Sequence, residues 1–138
     1  MKRISFIFLS MLLLLQSCSD ISKNLSLAED LMIERPDSSL MILDEIDYRQ
    51  IGSRKNMAKY ALLYTQAKDK NYIDETDMSL ISNAKAYYED SDDIKSKFLS
   101  YYYYGRILCN NKDLSTKNAT FVAFFLLTEF FFWSKFSS

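Results

Sequence analysis

The chain has 138 residues, 17 basic and 18 acidic side chains, two cysteines, two glycines, one proline and no histidine. The missing histidine excludes a histidine-based catalytic triad, a His-ligated zinc site and a histidine phospho-relay. A slightly negative balance offers no electrostatic case for DNA or RNA, so no nucleic-acid partner is expected.

The N-terminus comes first. Lys2 and Arg3 precede a twelve-residue run from Ile4 to Leu15 that only Ser5 and Ser10 interrupt. That is the order of a secretory signal, and it is shorter than the ~20 apolar residues a spanning helix needs. The run ends in Leu15-Gln16-Ser17-Cys18. This stretch resembles the lipobox of bacterial lipoproteins, in which the cysteine thiol receives a diacylglyceryl group and signal peptidase cuts just before it. Leu15 and Ser17 fit the pattern, whereas Gln16 is bulkier than the usual small residue. The resemblance implies a signal peptide over 1–17, a diacylglycerol and an N-acyl lipid on Cys18, and a membrane anchor in the cell envelope, at the outer membrane. No other cofactor is expected. An ordinary signal peptide with a chance cysteine is the alternative.

Cleavage there removes 17 of 138 residues and leaves 121, with 15 basic and 18 acidic side chains. That is enough for one domain with a core. Scarce glycine argues against hairpins and phosphate-cradling loops, so the fold is expected to be all-α. Residues 18–24 read as the lipidated cysteine and a polar tether. Its six residues from Ser19 to Asn24 span at most ~20 Å.

A first helix is predicted from Ser26, where Ser26-x-x-Glu29 makes a capping box, with Leu27, Ala28, Leu31 and Met32 on one face. Pro36 stops it. Asp37 or Ser38 caps a second helix that turns Leu40, Leu43 and Ile46 inward and leaves Asp44, Glu45 and Asp47 wet. Ile51-Gly52-Ser53 is the next break. The third helix, 54–70, carries Met57, Tyr60, Ala61, Tyr64 and Ala67 on one stripe. After an acidic connection over 71–77, Thr76 or Asp77 caps a fourth helix with Met78, Ile81, Ala84 and Tyr88 to one side. A second acidic connection, Glu89 to Asp93, leads to a fifth helix bearing Ile94, Phe98, Tyr101, Gly105 and Leu108 at helical spacing.

In that fifth helix, Tyr101-x-x-Tyr104-Gly105-x-x-Leu108 resembles the opening helix of a tetratricopeptide repeat (TPR), W-x2-L-G-x2-Y. Tyr60-x-x-Leu63-Tyr64-x-x-Ala67 echoes it without the glycine. No strict period holds, because Tyr60 and Tyr101 are 41 residues apart against the family's usual spacing of about 34. Ala58-x-Tyr60-Ala61-Leu62-Leu63 and Tyr72-Ile73-Asp74-Glu75-Thr76-Asp77 are likewise similar to bacterial lipoproteins with divergent repeats. The resemblance implies a short TPR-like solenoid of antiparallel helix pairs over 25–113. Tyr101, Tyr104, Gly105 and Leu108 would pack the repeat, with the glycine letting paired helices nest. It also implies a non-catalytic module that binds a protein or peptide partner on its concave face. Four consecutive tyrosines cannot share one helix face, so Tyr102 and Tyr103 are expected at a groove edge, with Arg106 placed to hold a partner carboxylate. Two other functions stay open. One is an extracytoplasmic sensory fragment of a signalling protein. The other is an accessory subunit of an envelope enzyme, for which Asp92, Asp93 and Arg106 are the residues to change.

Beyond the fifth helix the pattern departs from the family. Lys117 stands where the second repeat helix calls for alanine, although Phe121 supplies the following aromatic. Seven of the ten phenylalanines and the tryptophan then fall between Phe121 and Phe136. This tail, 114–138, reads as a sixth helix, as an interfacial membrane segment, or as the product of a frame change near Lys112–Lys117. The acids of the two connections suggest calcium only superficially. Asp90-Ser91-Asp92-Asp93-Ile94-Lys95 has no turn glycine, and no metal is expected there. Cys109, with no histidine to activate it, is expected in the helix core.

Overall fold

The computed structural model describes residues 21–111. Cys18, expected to carry lipid, the expected signal peptide and the aromatic tail therefore lie outside the described residues. Among the described residues there are five α-helices, one 3-10 turn and no strand. We number the helices α1 (21–31), α2 (Pro36–Asp44), α3 (Arg54–Lys70), α4 (Ser79–Tyr88) and α5 (Ile94–Asn110). None of the described helices is long and apolar enough to cross a membrane.

Helix α1 is already helical at residue 21. Ser26 is thus inside the helix rather than its cap, and residues 21–24 are helix rather than tether. Packing explains the earlier start, because Leu25, Ala28 and Met32 fall on one face at helical spacing and are all buried. Arg35 is the N-cap of α2 and makes no side-chain cap bond, while Pro36 occupies the first helical position. There its missing N–H costs nothing and its fixed φ already suits a helix. Leu43 and Ile46 point into the core and Asp44, Glu45 and Asp47 are exposed, as the pattern predicts.

Short side chains close the next helix starts. The Asn56 amide donates to Ser53 Oγ at the head of α3 (3.4 Å), and the Ser96 amide donates to Asp93 Oδ1 at the head of α5 (3.0 Å). Ahead of α4, Asp77 accepts from both the amide and the hydroxyl of Ser79. Each satisfies donors that a helix N-terminus leaves orphaned.

Helix α3 is the centre of the molecule and touches α2, α4 and α5. Its Tyr60, Leu63 and Ala67 join Leu25, Ala28, Met32, Leu43 and Ile46 in one apolar cluster. Its Ala58, Ala61 and Leu62 join Ile81, Ala84, Tyr88, Tyr103 and Ile107 in a second. Being covered on both sides, α3 buries more than the single stripe expected from its periodicity.

The end of α3 is closed by its own backbone. Ile73 N donates to Lys68 O and Tyr72 N to Asp69 O, the paired bonds of a Schellman cap. Tyr72 holds the left-handed position at φ 59°, where glycine is usual. Asn71 Nδ2 reaches back to Pro36 O at 2.9 Å, tying this corner to the start of α2.

Candidate functional site

Helices α1, α3 and α5, with the last two residues of α4, line one cleft of about 360 Å³, to which α2 contributes nothing. On α3 the lining residues Lys55, Lys59, Leu62 and Gln66 recur at the spacing of one helix face. Met32, Leu63 and Leu99 supply apolar surface, and Tyr87, Tyr88 and Lys95 close the end formed by α4 and the start of α5.

Ion pairs bind the three helices across this cleft. Glu29 of α1 holds Lys59 of α3 at 2.6 Å and lies 4.0 Å from Lys95 of α5. Both contacts are partly solvated, so each contributes at most about 1 kcal/mol. Asp93, the other acid of the lining, is turned to the Ser96 amide, which lowers its carboxyl below the usual range.

Further along the same faces, Arg106 of α5 is paired with Asp69 of α3 through Nε at 3.0 Å and through its terminal nitrogen. That bond to Asp69 raises the guanidinium still further. Arg106 does hold a carboxylate, but it is the chain's own. Asp93 and Arg106 stand thirteen residues apart on one helix, about 20 Å of rise, so no site gathers them. Among the described residues no group of three metal-ligating side chains is assembled.

The four tyrosines divide differently from the expectation. Tyr103 is only 5% exposed and belongs to the second core cluster, so it is not a groove residue. Burial pushes its phenol well above the ordinary range. Tyr102 is half-buried and meets the Tyr103 ring edge-on at 5.0 Å. Tyr101 donates to Glu89 Oε1 at 2.7 Å, and the Lys85 ammonium sits 4.5 Å from its ring centre and 5.7 Å from that of Tyr104. Tyr104 and Leu108 are half-buried and Gly105 is buried. Ile107, not Leu108, enters the core, and Cys109 is exposed rather than packed inside.

No protein-family model, curated protein or solved structure matches this chain.

The cleft residues Lys59, Lys95, Tyr87 and Leu99 do not stand out in the sequence. Glu29 does so only as the acid of a capping box, whereas in the fold it pairs with Lys59 and Lys95. A signal did exist on α3, where Lys55, Lys59, Leu62 and Gln66 repeat at i, i+4, i+7 and i+11. Nothing local to it tells which helices face it.

Proposed function

We propose that this protein is a non-catalytic recognition module of the cell envelope. Lipid on Cys18 holds it to the membrane, and it binds a protein or peptide partner in the cleft between α1, α3 and α5. In this reading α1–α2 and α3–α4 are successive TPR-like pairs and α5 opens a third. The observation that carries it is the lining of the cleft: α1, α3 and α5 supply most of it, α4 enters only with its last two residues, Tyr87 and Tyr88, and α2 does not enter. Stacked helix pairs produce that alternation, since the first helix of each pair faces the concave side. The apolar floor with a lysine, tyrosine and serine rim suits an extended segment that buries a few side chains and bonds through its backbone.

The test is site-specific photo-crosslinking of the full-length protein in its native envelope. A photoreactive residue at Lys55 or Tyr87 should give a discrete protein adduct, and one at the exposed Met41 of α2 should not. Equal labelling at all three positions, or no adduct from the cleft, would refute the reading. The anchor is tested separately. Cys18→Ala should abolish palmitate incorporation and leave an uncleaved precursor.

A further inference from the structure

A second cleft, of about 430 Å³, lies where the end of α2 and the 3-10 turn meet α3. Three tyrosines form a ladder through it. Tyr48 stacks on Tyr60 with ring centres 6.0 Å apart, and Tyr60 stacks on Tyr64 at 5.4 Å, both nearly parallel. Asp44, Glu45 and Asp47 share the lining with these rings. Arg49 is the cation of the lining, and it lies against Asp47 with Nε at 3.0 Å and its side chain 77% exposed. Asp44 accepts one bond, from the Tyr64 hydroxyl, which leaves acceptor capacity on its carboxylate. Glu45 has no ion-pair partner among the described residues.

The fold shows what this combination of groups holds. At the far end of the ladder, the Lys68 ammonium sits 4.9 Å from the Tyr64 ring centre and 2.5 Å from Glu75. The same arrangement recurs on α4 and α5, where Lys85 lies over Tyr101 and 3.7 Å from Glu89. In both places an ammonium is shared between the negative face of a phenol ring and a carboxylate. At the near end Tyr48 is 45% exposed, the acids Asp44, Glu45 and Asp47 line the cleft it borders, and that lining contains no lysine.

From this we propose that the Tyr48 cleft binds an organic cation, an ammonium or guanidinium group, seated between the Tyr48 ring and the carboxylates of Glu45 and Asp44. The site is independent of the α1–α3–α5 cleft and stands whether or not that cleft binds a partner. The charge balance of its lining, three carboxylates against one guanidinium already engaged, favours a cation over any anion. The field of these acids also reaches the ladder, because Asp44 and Asp47 add to burial and to the Tyr64 phenol in raising Tyr60.

The cation has two candidate sources, a free polyamine or the side chain of a basic peptide segment, and one titration separates them. Full-length protein in detergent is titrated with spermidine, with a peptide alternating lysine and serine, and with its glutamate counterpart, following the Tyr48 ring resonances by NMR. Both cationic probes should shift those resonances and the acidic peptide should not. Tighter binding of the lysine peptide assigns the site to a protein segment, and tighter or equal binding of spermidine to a free amine. Followed instead at the Tyr60 and Tyr64 ring resonances, which line the same cleft, Tyr48→Leu should weaken binding about fivefold while Tyr48→Phe, which keeps an aromatic ring, retains it. Glu45→Gln should weaken it about two- to fivefold, and Asp74→Asn, outside the cleft, should leave it unchanged. Equal weakening by Asp74→Asn and Glu45→Gln would mean attraction to general negative charge, and would overturn the proposal. So would silence of the Tyr48 resonances with both cations.

Discussion

The Ser39 hydroxyl of α2 donates to the Ala28 carbonyl oxygen of α1 at 2.7 Å, with both residues wholly buried. Two small side chains face each other here, so the helices approach closely enough for a side chain to reach a neighbouring backbone. Ser39→Ala removes one buried hydrogen bond and should cost about 1 kcal/mol. Ser39→Leu forces a large group into the same gap and should cost about 1–3 kcal/mol or more. Urea denaturation of the three proteins would order them, and a Leu variant as stable as Ala would show that the gap can open.

Two core clusters flank α3, and each has a fully buried aliphatic residue, Leu43 in the first and Ile81 in the second. Leu43→Ala and Ile81→Ala should each lose about 2–5 kcal/mol. Because α3 belongs to both clusters, we expect one cooperative transition for either variant rather than loss of half the domain. Coincident far-ultraviolet CD and tyrosine fluorescence curves would check this.

Tyr72 adopts the left-handed position of the α3 cap with its side chain 97% exposed. A non-glycine residue pays about 1–2 kcal/mol there, whereas glycine gives up part of that advantage through its freer unfolded chain. Tyr72→Gly should therefore stabilise the protein, by about 0.5–1 kcal/mol, and raise the thermal midpoint. Tyr72→Val should do the opposite.

Burial raises the Glu75 carboxyl, but its bonds to Lys68 and to the Asp77 and Thr76 amides outweigh this and leave it below its ordinary value of 4.5. A lowered folded-state pKa favours the carboxylate form. The resulting stability is present above about pH 4.5 and is lost as pH falls through the lower folded value. Glu75→Gln should lower stability at neutral pH and flatten its decline on acidification. Denaturation midpoints collected from neutral to acid pH would show both.

Tyr60 and Tyr64 are displaced in the other direction, each from 10.0 to about 12. Burial is the leading cause in both, joined at Tyr64 by the hydrogen bond to Asp44. The fold favours the neutral phenol, so this stability is complete below pH 10 and lost as pH rises through about 12. Alkaline absorbance titration should show a late tyrosinate step near 12 that Tyr64→Phe diminishes. In denaturant that step should move to about pH 10.

Much of the helix layout was legible because its signals are local. Ser53, Asp77 and Asp93 close helix starts within three residues of themselves, and the inward faces of α2 and α4 follow a clean helical period. Tyr101 to Tyr104 carried no such information: four like residues give the same periodicity in every register. Contact with α3 and α4 selects Tyr103 and Ile107 for the core, leaves Tyr101 to Lys85 and Glu89, and turns Cys109 outward.

The start of α1 was hidden for a related reason. A capping box at Ser26 is a local preference worth about 1 kcal/mol, while burial of Leu25 is worth about 1.5–3 kcal/mol against its helical neighbours. Burial wins and carries the helix upstream. By itself, then, the sequence determined an all-α chain and most of its breaks, since propensity acts over one turn. It did not determine every cap: Ser26 lies inside α1, and Arg35 rather than Asp37 or Ser38 stands at the head of α2. Only the tertiary structure decided which faces meet. The Glu29–Lys59 and Arg106–Asp69 pairs and the Tyr48–Tyr60–Tyr64 ladder join residues from different elements, and no local period encodes their distance.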